Sequence, residues 1–128
     1  MRVELNHIIV PARDKAASAK FLTDILGLPE ATRWGSFAQV KMSNGVELDF
    51  ADYADFRAHH CAFLVGEAEF DAALARLRAA GVAIYADHRL AQPGEINRHY
   101  GGRGVYFKDP NGHLFELITR PYGETPEG

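Results

Sequence analysis

The chain has one cysteine, Cys61, among its 128 residues, and no apolar run approaching membrane-spanning length. A single thiol excludes an intramolecular disulfide and fits a reducing compartment. The missing apolar run excludes a spanning helix, and no charged stretch followed by an apolar one opens the chain as an export signal would. A soluble, cytoplasmic protein is expected. Positive charge is not in excess either: 14 Lys and Arg stand against 17 Asp and Glu, for a net charge of −3. The basic residues are scattered, so no face is built for a phosphate backbone and nucleic acid is excluded as a partner. Small molecules remain. With 47% hydrophobic residues in this length, the chain suffices for one domain with a real core.

Alternation and β-branching predict a strand over residues 3 to 10, with Val3, Leu5, His7 and Ile9 on one inward face. Asp14 to Leu26 turns helical, with Ala17, Phe21 and Ile25 at four-residue steps and Gly27 as terminator. After a turn-rich passage, strands 36 to 42 and 46 to 51 flank Ser43-Asn44-Gly45. The same order then recurs: a strand over 60 to 65, a helix from Glu67 to Ala80 with Phe70, Leu74 and Leu77 inward and Gly81 as its cap, and a short strand near 82 to 85. A hairpin over 104 to 119 turns at Asp109-Pro110-Asn111-Gly112. An offset of 53 carries His7 onto His60 and Asp14 onto Glu67. The hairpins need an offset of 67, so about fourteen extra residues fall in the polar segment 86 to 103. The modules are therefore drawn as 1 to 55 and 56 to 120, with a frayed tail at 121 to 128.

Chemistry gathers at three points. Glu116 shares a strand face with Leu114 and Ile118, where a buried carboxylate demands a cation. His7 and His60 are repeat-equivalent. If their strands lie side by side in one sheet, two histidines and an acid meet, which is a metal-site composition. His59, His88 and His113 read as solvated or structural, and Cys61, on the face of Phe63 and Val65, as a small core residue. His99 stands apart, because Asn97, Arg98, Tyr100 and Arg103 surround it and Gly101-Gly102 permits closure over a ligand.

Asn6-His7, the strand His60-Cys61-Ala62-Phe63-Leu64-Val65 and the run from Phe107 to Leu117 together resemble the vicinal oxygen chelate superfamily, the glyoxalase, bleomycin-resistance and extradiol dioxygenase relatives. The resemblance spans residues 3 to 120. It implies an α+β fold of two βαβββ modules whose curved mixed sheet forms an open barrel. Matched residue by residue, it places metal ligands at His7, His60 and Glu116 and a fourth family position at Asp49 or Glu47. Asp49 is preferred, because it stands as far from Gly45 as Glu116 does from Gly112. The resemblance also implies a homodimer, since curved sheets of this family commonly pair.

The metal expected is a divalent ion. Two histidines and one acid suit Fe2+, with Mn2+, Ni2+ and Zn2+ also compatible. It would act as a Lewis acid on a small substrate with neighbouring oxygens, in a lyase or dioxygenase reaction. Asp49 ranks first as general base, with Glu47 or His99 as alternatives; Asn97, Tyr100 and Arg103 are expected to touch substrate. No extended Arg-rich segment marks a glutathione site, and the chain lacks the second pair of modules of two-domain extradiol enzymes. The alternative is a binding or sequestration protein of the bleomycin-resistance kind, without catalysis. Three convergent ligands favour the enzyme.

Overall fold

Asp14, where the helical pattern begins, caps the first helix: its carboxylate accepts the Ala17 N–H at 3.1 Å, and Gly27 ends the helix, as expected, at φ 68° with its N–H on the Thr23 carbonyl. The computed structural model describes residues 1–123, divided between two units, Met1–Arg57 and the chain from Ala58 onward. The first unit runs β1 (His7–Ala12), α1 (Lys15–Leu26), β2 (Thr32–Trp34), β3 (Phe37–Lys41) and β4 (Glu47–Asp52). The second runs β5 (His60–Leu64), α2 (Glu67–Ala79), β6 (Ile84–Tyr85), β7 (Gly104–Lys108) and β8 (Leu114–Ile118). Both are βαβββ modules, the α+β architecture expected. Among the described residues no helix is long and apolar enough to cross a membrane.

Each unit builds its own four-stranded mixed sheet, in the orders β1-β4-β3-β2 and β5-β8-β7-β6. The first and last strands of each module pair in parallel; the other pairings are antiparallel. This corrects the expectation that the strands of His7 and His60 lie side by side in one sheet. Each takes the last strand of its own module as neighbour and stands at the end of the strand order, because the helix between supplies the crossover that a parallel pair requires.

In the first unit Val10, Ala38, Val40, Leu48 and Phe50 share the core face of the sheet with Ala19, Leu22 and Ile25 of α1. The expected helix stripe is rotated: Ser18, Ala19, Leu22, Thr23 and Ile25 are buried, whereas Ala17 is exposed and Phe21 half-buried. Strict four-residue spacing drifts around a 3.6-residue helix, and small hydroxyl residues enter the stripe because the helix can satisfy them, as Thr23 Oγ1 does on the Lys20 carbonyl at 3.1 Å. The opening strand starts four residues late, leaving Val3 and Leu5 exposed. The turn-rich passage holds β2, which alternation did not reveal, closed onto β3 by a turn at Gly35, φ 57°.

In the second unit Val105, Phe107, Phe115 and Leu117 pack with Phe70, Leu74 and Leu77 of α2 in the core. Acidic Glu67 and Glu69 open that helix while Arg76 and Arg78 lie in its last turn, both suited to its dipole. The hairpin turn between β7 and β8 is a closed polar knot. Asp109 accepts from the N–H groups of Asn111 and His113 at 2.9 and 2.8 Å, and buried His113 accepts the His59 N–H on Nδ1 at 2.8 Å. His59 and His113 are therefore structural, and the knot fixes the register that aims Glu116.

Candidate metal centre

Register decides what Glu116 faces. On the sheet face opposite the core, Ala62 of β5 and Tyr106 of β7 flank Glu116 of β8, and its carboxylate is 1% exposed. One oxygen, Oε1, lies 3.1 Å from His60 Nε2; the other, Oε2, accepts a hydrogen bond from the Tyr122 hydroxyl. The Tyr106 hydroxyl lies 3.2 Å from that of Tyr122. Since Tyr122 gives its only proton to Glu116, Tyr106 donates to Tyr122, in a chain from Tyr106 through Tyr122 to the carboxylate. Burial first, and then the hydrogen bond to Glu116, push the Tyr122 phenol far above the ordinary range, so it stays a donor.

The His60 ring is oriented by its own backbone neighbour. Nδ1 lies 3.0 Å from the Leu114 carbonyl, which can only accept, so Nδ1 carries a proton. In the neutral ring Nε2 then presents a lone pair to a carboxylate oxygen at 3.1 Å. Two lone pairs at that distance repel unless a proton or a cation lies between them. A backbone-anchored imidazole aimed at a carboxylate is also a metal-ligand arrangement, so this donor pair fits a divalent ion.

His7 is exposed rather than inward-facing, and its Nδ1 lies 2.7 Å from Asn6 Oδ1. β1 is exposed over its first half, His7 to Ile9, and buried over its second, Val10 to Ala12, so His7 lies at the open start of the strand. Within the first unit the register sets His7 opposite Glu47 and Ile9 opposite Asp49. Asp49 is 4% exposed, and its Oδ1 has no hydrogen-bond partner among the described residues. Glu47, by contrast, is half-buried, with Lys41 Nζ at 3.7 Å. Among the described residues no three His, Cys, Asp or Glu side chains form a cluster. His60 and Glu116 come together; His7 and Asp49 sit on the corresponding face of the other sheet.

The segment 86 to 103 is less open to ligand than expected. Arg103, expected on substrate, is turned to α2: its guanidinium donates to Glu67 at 2.9 Å and Asp71 at 2.8 Å and covers the Phe70 ring at 4.5 Å. Asn97 is occupied within the loop, with its Nδ2 on the Ala86 carbonyl at 2.9 Å and its backbone paired to Gly104. A Cβ at Gly104 would lie 2.7 Å from Asn97 Oδ1, so a side chain there would displace the Asn97 amide. His99 is exposed beside Tyr100, ring centroids 6.4 Å apart, and Tyr100 stands 5.0 Å from Tyr122. His88 is 6.5 Å from the Tyr106 ring. Tyr106 and Tyr122 were missed by sequence reasoning. Strand parity opposite Glu116 was a signal for the first, whereas Tyr122 lies in the tail expected to fray. That tail is placed as far as Gly123, and residues 124–128 lie outside the described chain.

A groove of about 600 Å³ lined by Lys15, Ala19, Thr23, Leu28, Thr32 and Ala38 lies on the α1 side of the first sheet, and none of the candidate residues lines it. Within the first unit, Asp49 lies on the sheet face away from that groove.

This architecture has relatives. The Glyoxalase/Bleomycin resistance protein/Dioxygenase superfamily profile matches residues 4–117, and the chain belongs to that family. Among solved structures, oxidase ChaP-H2 superimposes with a TM-score of 0.95 at 51% identity, covering 98% of this chain and 100% of that one. Glutathione transferase FosA of Serratia marcescens is 29% identical over 124 residues, 91% of this chain and 81% of FosA. Metallothiol transferase FosB of Shouchella clausii (strain KSM-K16) is 30% identical over 127 residues, 94% and 82% of the two chains. These relatives are enzymes by name, and the chain is an enzyme of the same superfamily.

Proposed function

We propose that the chain is a cytoplasmic, metal-dependent oxygenase acting on a small molecule with two neighbouring oxygens, such as a catechol or a hydroxycarbonyl. The observation that carries the metal is the His60–Glu116 pair: an imidazole whose Nδ1 proton is committed to a carbonyl faces a buried carboxylate at 3.1 Å. His7 is the third donor that the family resemblance implies. When bound, a divalent ion supplies Lewis acidity and open positions for two adjacent oxygens. Oxidation is favoured over group transfer by the relative named an oxidase, at 51% identity over nearly the whole of both chains, against 29% and 30% for the transferases. Fe2+ is the ion that suits such chemistry on two histidines and one acid.

The protein side of the reaction is orientation and proton handling. The Leu114 carbonyl and the Tyr122 hydroxyl hold the two ligands in place, and Glu116 is shielded from bulk water. Asp49, with an unpartnered oxygen on a buried carboxylate, accepts the substrate proton, with His99 second in rank. Tyr100 is the loop residue retained as a substrate contact. A second copy of the chain covers the ends of the sheets, where Ile8, Ile9 and Leu64 are 41%, 40% and 61% exposed. Sedimentation at micromolar concentration would give a dimer, and a strict monomer would remove that part of the reading.

The test of function is oxygen uptake by protein reconstituted with Fe2+, Mn2+, Ni2+ or Zn2+ and offered catechols and hydroxycarbonyls. Uptake with Fe2+ that is lost on chelation supports the proposal. Tight ligand binding without turnover under all four ions would instead give a sequestration protein.

A further inference from the structure

After β8 the chain turns back along its own module. Thr119 donates its N–H to the Arg103 carbonyl at 3.0 Å and accepts the Arg103 N–H on Oγ1 at 2.8 Å. Gly102 passes so close that a Cβ there would lie 2.7 Å from Thr119 Oγ1. This clasp ties the end of the 86 to 103 segment to the end of β8 and delivers Tyr122 to Glu116. The Tyr122 ring lies 5.0 Å from that of Tyr100, which is held at φ 56°, a left-handed conformation that costs a non-glycine residue energy. Strain at Tyr100, the clasp and the phenol-to-carboxylate bond thus converge on one side chain that is itself 49% exposed.

We propose that Tyr122 is a positioning residue that makes Glu116 a one-oxygen ligand. A carboxylate can embrace an ion with both oxygens, which would fill a position the substrate needs. With Oε2 committed to Tyr122, only Oε1 faces His60, and the remaining position stays open. Through its ring contact with Tyr100, Tyr122 also links that carboxylate to the 86 to 103 segment, so ligand contact with the segment is felt at the ion. The inference rests on the metal reading of the previous subsection and deepens it.

Co2+ is the probe, since its visible bands weaken as coordination number rises. The full chain as wild type, Tyr122→Phe, Tyr100→Leu and Glu116→Gln is titrated with Co2+ by absorbance and calorimetry, then with catechol. Tyr122→Phe keeps the ring and changes only the hydroxyl. It should bind Co2+ about tenfold more weakly, at the low end of the loss of an outer-shell partner, with weaker visible bands and weaker catechol binding. Tyr100→Leu should leave the Co2+ spectrum intact and weaken the catechol response alone. Tyr122→Leu, read the same way, guards against a ring-stacking effect peculiar to Phe. Co2+ binding in wild type with an unchanged Tyr122→Phe spectrum and affinity would overturn the positioning role alone. Binding absent in wild type, or unchanged in Glu116→Gln, would remove the metal reading and this proposal with it.

Discussion

Asp49 and Glu116 hold the same place in the two modules. Ile9 lies opposite Asp49 and Ala62 opposite Glu116 in the parallel pairs, and Ile9 and Ala62 are separated by the offset that carries His7 onto His60. Each module therefore presents a histidine at the start of its first strand and an acid two positions further along its last strand. The acids differ by one methylene. Glu116 reaches His60 and Tyr122, while Asp49 keeps a buried oxygen with no partner among the described residues.

An unpartnered buried carboxylate oxygen costs stability, on the order of 1–3 kcal/mol. Asp49→Asn removes the charge, so thermal unfolding should shift upward by a few degrees while turnover falls by roughly 10²–10⁴, the usual loss for a general base. Calorimetric melting and steady-state rates check both halves. Lost stability with full activity would refute the assignment.

His60→Ala and Glu116→Gln should each lose bound metal after dialysis, with affinity lowered by at least about tenfold. Metal analysis of protein purified without an affinity tag reads it. If both variants retain wild-type metal, the ion is held elsewhere.

Arg103→Ala separates anchoring from substrate contact. The guanidinium grips α2 through carboxylates that are largely exposed, so screening limits the ion pairs and the contact with Phe70 supplies much of the effect. The melting temperature should fall by a few degrees with metal and catechol affinity unchanged. Loss of catechol binding without loss of stability would restore the ligand role.

Cys61 should alkylate slowly. Burial first, and then the nearby Asp109 charge, push its thiol above the ordinary value, so less thiolate is present at pH 8 than in a free cysteine. Iodoacetamide should react more slowly than with a model thiol, and the rate should climb as pH rises through the elevated pKa. A rate equal to the model thiol's would mean an open, unperturbed site.

The duplicated order of elements was legible because the helices carry their stops in local chemistry: Asp14 and Gly27 around α1, and the acidic and basic ends of α2. The face of Glu116 was legible from alternation alone. What escaped depends on contacts far apart in sequence. The pairing of β1 with β4, rather than with its repeat partner, is decided by which crossover its own helix covers, and the commitment of Arg103 to α2 depends on helix residues 32 and 36 positions away. Tyr122 was hidden because a tail without periodicity gives no sign of where its one phenol lands.

The parallel pairing of β5 with β8 has a consequence for synthesis. His60 finds its backbone neighbour Leu114 only 54 residues later, after the helix and two more strands have been made. At typical elongation rates that is roughly 3–10 s during which an edge rich in Phe63 and Leu64 waits unpaired. The second module therefore closes last-strand-first-strand in a single late event, and any pause before Leu114 prolongs exposure of the segment most able to pair with a neighbouring nascent chain.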